Sequence, residues 1–274
     1  MPGFVGIRRV RLDNEGMAEI IHNQTVDALL NRCSIRAFEP DEIDDDTIAT
    51  LELCAQHAPS SMYLNDWSAI RITDPEKRRK LAEIGRQSYI GTAPLLYIFV
   101  IDEHRNAQIA QRMGVDVESG EFTLNTSYRF TQAQNDATLA LQAMATAAES
   151  LGLGSVVLGT VLGDIDAVID LLELPQFTYP VLGLALGKPA QQPEVKPRMP
   201  REVQFMENSY FGDELTTRTR MEAFDAEVHT YYDLRNDGRP EETFSKQIAK
   251  KAVAQGVLQS GLDHAKRQGF RLDR

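Results

Sequence analysis

The stretch from Pro94 to Asp102, Pro-Leu-Leu-Tyr-Ile-Phe-Val-Ile-Asp, is apolar at every position but the last. A strand with one wet face alternates; an unbroken apolar run marks a strand buried on both faces. Such a strand needs a sheet around it and further elements packed on each side. The apolar run, Ala93 to Ile101, is too short to cross a bilayer, which takes about 20 residues.

The remaining chain supplies the cover. Residues 1–23 show no strong periodicity and read as an N-terminal arm. Val26, Leu29 and Leu30 share one face of a short helix over Thr25–Arg32, and residues 33–38 are extended. Ile48, Leu51 and Ala55 recur at helical spacing behind Asp44 or Asp45 as the cap, and that helix stops before Pro59. Ser68–Thr73 alternates as a strand, and Asp74-Pro75 opens a helix that runs to about Gly85. Residues 103–126 are polar and read as a mobile insertion. A long helix over Phe130–Leu151, rich in Ala, Leu, Gln and Met, is apolar around much of its circumference and is closed by Gly152. A strand at Ser155–Leu158, a helix at Asp164–Leu172 and a last core strand at Val181–Leu186 follow. Pro189, Pro193, Pro197 and Pro200 keep the next segment extended. Beyond Arg201 the apolar density falls, so residues 201–274 read as helices packed on something other than the main core. Strands alternating with helices leave α/β or α+β as the class.

Composition excludes several functions. With 29 Lys+Arg against 40 Asp+Glu the formal net charge is −11, which speaks against partners such as nucleic acid or an anionic membrane. Two cysteines, Cys33 and Cys54, exclude a disulfide framework and a cysteine zinc site, and they fit a reducing compartment. The five histidines form no HxxxH or HExxH pair, so no histidine metal site is expected. No apolar segment follows Arg8, Arg9 and Arg11, so no secretory signal is expected and the cytoplasm is the expected location. Gly152-Leu153-Gly154 fails the GxGxxG spacing, Gly187-Lys188 runs into Pro189 instead of a phosphate loop, and no GxSxG occurs. For an enzyme, the absence of all of these shifts weight toward a bound organic cofactor.

Two basic clusters could hold one. In an extended chain Arg32, Ser34 and Arg36 point to one side, which aims two guanidiniums and a hydroxyl at one spot and suits a phosphate dianion. Cys33 and Ile35 then face the core. Lys196 and Arg198 share a side across Pro197. Taken alone, either cluster reads first as a solvated charged face.

The clusters belong to a longer series: Arg32-Cys33-Ser34-Ile35-Arg36-Ala37-Phe38, Ala58-Pro59-Ser60-Ser61, Arg71-Ile72-Thr73-Asp74, Ala147-Ala148-Glu149-Ser150-Leu151-Gly152-Leu153-Gly154, Gly183-Leu184-Ala185-Leu186-Gly187-Lys188-Pro189, Glu194-Val195-Lys196-Pro197-Arg198 and Glu207-Asn208-Ser209-Tyr210. In order and spacing this series resembles the flavin-dependent nitroreductase family, closest to its NADPH-dependent nitroreductases and FMN reductases. The resemblance covers about residues 25–250.

It implies an α+β, three-layer sandwich with a central mixed sheet flanked by helices, forming an intertwined homodimer with FMN at the subunit interface. The implied domains are the arm 1–23, a flavin-binding core 24–200, and a C-terminal helical excursion 201–274 that packs on the partner subunit. The resemblance assigns the FMN phosphate to Arg32, Ser34 and Arg36, with Cys33 nearby where the family usually has a basic residue. Ser60, Ser61 and Asn65 fall where the flavin is contacted from one subunit, although Asp66-Trp67 departs from the close branch. Gln87 matches a glutamine beside the ribityl chain. Val157, Leu158, Gly159 and Thr160 match the loop along the isoalloxazine, with Thr160 in place of a second glycine. Lys196 and Arg198 match a basic pair, with Lys196 near N1 and O2 of the flavin. Arg235 and Arg239 are the candidates for the NADPH phosphate.

The implied activity passes hydride from NADPH through FMN to nitroaromatic, quinone or similar acceptors by a ping-pong mechanism, with the chemistry carried by the flavin and no catalytic side chain or metal. The alternatives are a flavin reductase that supplies reduced FMN to a partner, and a non-catalytic flavin-binding protein.

Overall fold

The computed structural model of this chain describes residues 9–12, 16–210, 214–235, 243–253 and 261–273. The chain divides into two compact units, one made of Met1–Asp27 with Glu194–Gln259, the other of Ala28–Pro193 with Ser260–Arg274. Each has its own packing.

In the first unit, the segment read as a featureless arm contains an antiparallel pair, β1 (Arg9–Leu12) and β2 (Gly16–Glu19), with Arg9 opposite Glu19. Two four-residue strands are too short to show a period in sequence. Helix α1 (Gln24–Asn31) follows and crosses from the first unit into the second after Asp27.

The second unit holds the sheet. Helix α2 (Asp45–Gln56) is capped by Asp44, whose carboxylate accepts from the Thr47 N–H at 2.8 Å. Strand β3 (Trp67–Arg71) leads to α3 (Pro75–Gly85), where the Asp74 carboxylate accepts from the Glu76 N–H at 2.7 Å and Pro75 sits in the first turn. The short helix α4 (Tyr89–Thr92) precedes β4 (Leu95–Asp102), which is buried at every residue up to Ile101. The polar segment expected as a mobile insertion instead begins with helix α5 (Glu103–Arg112). Its polarity hides only two buried positions, Glu103 and Ala107, spaced one turn apart. The long helix α6 (Ser127–Ser150), strand β5 (Gly154–Leu158), helix α7 (Ile165–Leu172) and strand β6 (Thr178–Gly187) complete the unit.

The sheet order is β3-β4-β6-β5 and every neighbouring pair is antiparallel. The expected mixed character is confined to isolated parallel bridges, Ser34 with Ser155 and Thr126 with Arg271. Alternation along β4 builds two cores. Leu96, Ile98 and Val100 pack with Leu81 of α3 and Val168 of α7, whereas Leu95, Tyr97 and Phe99 pack with Leu51 of α2 and Leu141 and Met144 of α6. Each such large apolar side chain stabilises the fold by about 1.5–3 kcal/mol. The sheet is thus the middle layer of an α+β sandwich.

The first unit resumes with α8 (Arg201–Gln204), α9 (Glu214–Arg235) and α10 (Phe244–Ala252). Phe224, Val228 and Tyr231 are buried at helical spacing on α9, and the Phe224 and Phe244 rings lie 5.3 Å apart. The chain then returns to the second unit in α11 (Gly261–Arg267). There His264 and Arg267 both engage Asp166 of α7, and Phe270 is buried against Phe130 with ring centroids 4.9 Å apart.

Candidate active site

The basic segment Arg32–Arg36 runs beside β5. Ser34 bridges Ser155, and the Ile35 N–H donates to the Ser155 carbonyl at 2.9 Å. Gly154 permits this approach, since a Cβ there would lie 2.6 Å from Cγ1 of Ile35. Ile35 is buried, as the alternation requires, but Cys33 is only half-buried and is a free thiol. Arg32 Nε donates to the Glu149 carboxylate at 3.2 Å, and the Ser155 hydroxyl donates to the same oxygen at 2.6 Å. Of the two guanidiniums, Arg36 is therefore the exposed one and Arg32 the anchored one.

Arg36 does not stand alone. Burial raises the Tyr89 hydroxyl's pKa, and the adjacent Arg36 guanidinium opposes that shift through charge and a hydrogen bond. Tyr89 donates in turn to Oε1 of Gln87, and the Thr160 hydroxyl donates to the same atom at 3.2 Å. Gln87 and Thr160 are thereby joined by hydrogen bonds to a tyrosine that sequence reasoning missed, with the Arg36 guanidinium close enough to act on its hydroxyl. This row ends at the turn after β5. There Val157, Gly159 and Thr160 are exposed, whereas Leu158 is buried and has only its backbone to offer. A cation, a hydroxyl, a side-chain amide and an exposed backbone in sequence suit a phosphate ester carrying a polyhydroxyl chain and a flat ring.

A second group of candidates sits on the loop after α2. The Ser60 hydroxyl accepts from the Asn65 N–H at 2.8 Å, which leaves its own proton free to donate. Ser61 is held from within, its N–H and hydroxyl donating to the two Asp136 oxygens at 2.7 and 3.0 Å. Just after them Met62, Tyr63 and Asn65 adopt φ of 54°, 61° and 49°. Side chains other than glycine rarely occupy this region, and three within four residues mark stored strain. Helix α5 secures the loop, with Arg105 donating to the Asn65 carbonyl and Asn106 to that of Leu64. Among the described residues no hydrogen bond or ion pair joins this loop to the Arg36 row.

Lys196 and Arg198 lie on an exposed stretch of the first unit. Arg235 is the last residue of α9, but its side chain lies outside the described residues, as does all of Arg239.

The nitroreductase family model matches residues 29–188, and the model for the C-terminal domain of the same family matches residues 196–273. This chain belongs to the nitroreductase family. Among its relatives is an FMN reductase (NADPH) of Bacillus subtilis, 35% identical over 227 residues, spanning 82% of this chain and 90% of that protein. The structure of the NfrA1 nitroreductase of B. subtilis superposes with a TM-score of 0.84 at 34% identity, covering 90% of this chain and 98% of that one. An NADPH:FMN oxidoreductase of Vibrio harveyi, solved with NAD+, gives a TM-score of 0.79 at 30% identity over 90% of this chain and 99% of its own. The family's likeness therefore extends across both units and runs to its NADPH-dependent branch.

Proposed function

We propose that this nitroreductase is a flavoenzyme that takes electrons from NADPH and delivers them to nitroaromatic, quinone or similar small acceptors. The observation that carries the reading is the row from Arg36 through Tyr89 and Gln87 to Thr160. It offers FMN the groups its parts need, in the order in which they occur along the molecule. FMN, when bound, would supply the redox chemistry between nicotinamide and acceptor.

The side chains bind and orient. Arg36 neutralises the phosphate, with Arg32, Ser34 and Cys33 beside it. The Gln87 amide and the Thr160 hydroxyl would hold the ribityl hydroxyls, and the backbone of Val157–Thr160 would support the ring. Ser60, Ser61 and Asn65 close the site from a second copy of the chain, which makes the active species a homodimer. That the Ser60 loop shares no bond with the Arg36 row in its own chain supports this arrangement. Lys196 and Arg198 keep the flavin roles implied by the resemblance, and Arg235 and Arg239 remain the candidates for the NADPH phosphate. Of the C-terminal excursion expected over 201–274, the last helix, α11, returns to its own chain; the remainder packs on the partner, and the location is cytoplasmic.

A reductase that hands reduced FMN to a partner enzyme is the second reading, favoured by the Bacillus and Vibrio relatives named for that activity. The test is the absorbance spectrum of the purified protein, followed by NADPH oxidation with nitrofurazone or free FMN as acceptor. A yellow protein faster on nitrofurazone supports the first reading, and one faster on free FMN the second. A colourless protein that takes up no FMN overturns both.

A further inference from the structure

Behind the Ser60 loop lie three carboxyl groups that the functional reading leaves unused. Asp66 and Glu103 are fully buried and Asp136 is 1% exposed. They come from three places, the residue before β3, the first residue of α5 and the middle of α6. Both Asp66 oxygens and Oε1 of Glu103 have no hydrogen-bond donor. Among the described residues no acidic or histidine group is arranged to hold a metal ion, and no lysine or arginine pairs with any of the three. A buried carboxylate with neither donors nor a cation costs several kcal/mol. A proton on the carboxyl removes that cost.

The neighbours show where one proton sits. Asp136 is surrounded by donors, since Ser61 gives it both N–H and O–H. Asp66 has none, and its carboxyl lies within hydrogen-bonding contact of Asp136. The consistent arrangement is a protonated Asp66 donating O–H to Asp136, which also accepts twice from Ser61. We propose that Asp66 and Asp136 share this proton, and that the shared proton lets Asp136 hold Ser61 and the left-handed turns of Met62, Tyr63 and Asn65 in place. Loss of the proton to water breaks the Asp66 O–H bond and leaves two anions in contact. Their repulsion then works together with the strain of the loop to release Ser61.

The remaining charges set the range over which this occurs. Burial first, then the Asp136 charge, raises Asp66 to about 7, with Arg129 of α6 opposing. Burial first, then Asp66, raises Glu103 to about 8, opposed by Asn106 and Arg129 and reinforced by Asp102. Arg105 faces the same region but is engaged with Asp102 at 3.3 Å. The device therefore switches in the neutral to mildly alkaline range, and Asp66 and Asp136 act as positioning residues.

Trp67, the only tryptophan, follows Asp66 directly and stacks on Phe99 with centroids 5.9 Å apart. Its emission in the flavin-free full-length protein reports the loop without depending on the functional reading. Between about pH 6 and about pH 9 the wild type is expected to show an emission change, and Asp66→Asn less than about half of it, because its amide donates to Asp136 at every pH and only Glu103 is left to titrate. FMN titration at the same two pH values rests on the functional reading. There the wild-type Kd is expected to rise about fivefold or more, and that of Asp66→Asn to change by less than about twofold. Asp136→Asn is expected to give the alkaline emission at both pH values. An Asp66→Asn protein that titrates like the wild type, or a wild type that does not titrate, overturns the shared proton. A wild type whose emission titrates but which binds no FMN upholds the shared proton and overturns the flavin site.

Discussion

Arg36 and Arg32 differ in what already holds them. Arg32 spends its Nε on Glu149, across 117 residues of chain, while Arg36 meets the Tyr89 hydroxyl at the surface. The Arg36 guanidinium is therefore the one able to face a phosphate. Replacing Arg36 by Ala is expected to raise the FMN Kd by about 10- to 150-fold, the loss of one charge-assisted contact of about 1.5–3 kcal/mol. Tyr89→Phe keeps the ring but cuts the row, and about a threefold to tenfold loss is expected for one neutral hydrogen bond. Fluorescence titration of FMN against each purified variant measures both. Unchanged affinity in Arg36→Ala would make the cluster an ordinary charged surface.

Among the elements, β5 decides where the basic segment lies. Residues 34–36 reach it only because Gly154 has no side chain. A Cβ at that position would also stand 2.8 Å from Cβ of Ile35, an atom next to the backbone that cannot rotate away. Gly154→Ala is expected to destabilise the second unit by about 1–3 kcal/mol through overpacking, and to weaken FMN binding by displacing Arg36. Urea denaturation followed by far-UV circular dichroism gives the first quantity and FMN titration the second. The same close approach occurs at Gly187, where a Cβ would meet Phe38 and Pro94 at 2.8 Å, so two glycines let residues 34–38 lie along the sheet edge.

For the whole molecule, the buried carboxyls set how stability depends on pH. Asp66 rises from 3.8 to about 7 and Glu103 from 4.5 to about 8 on folding. The folded state thus holds protons that the unfolded chain has released. Stability from these groups is complete below about pH 4 and is lost progressively as pH climbs to about 8. The melting temperature of the flavin-free protein is expected to fall between about pH 5 and about pH 8, and the fall is expected to shrink in Asp66→Asn and Glu103→Gln. Differential scanning calorimetry across that range tests the sign; a rise would contradict it. Assembly belongs to this scale too. A chain of 30.7 kDa whose site is completed by a second copy is expected to elute at about twice that mass. Light scattering that finds a fully active monomer would remove the two-copy site.

Local chemistry was legible without a fold. The apolar run of β4, the Asp74-Pro75 start of α3 and the length of α6 each depend on residues within a few turns, so periodicity and capping sufficed. The resemblance supplied the family and the residue types of the site. What sequence could not supply were relations between distant segments. Polar α5 read as a loop because its only buried positions are Glu103 and Ala107. Tyr89 carries no local signal, and it matters only because folding sets Arg36, Gln87 and Thr160 around it. Asp66, Glu103 and Asp136 look like ordinary surface acids in sequence. Only tertiary packing removes water from all three at once, and that desolvation lets Asp66 and Glu103 keep their protons near neutral pH.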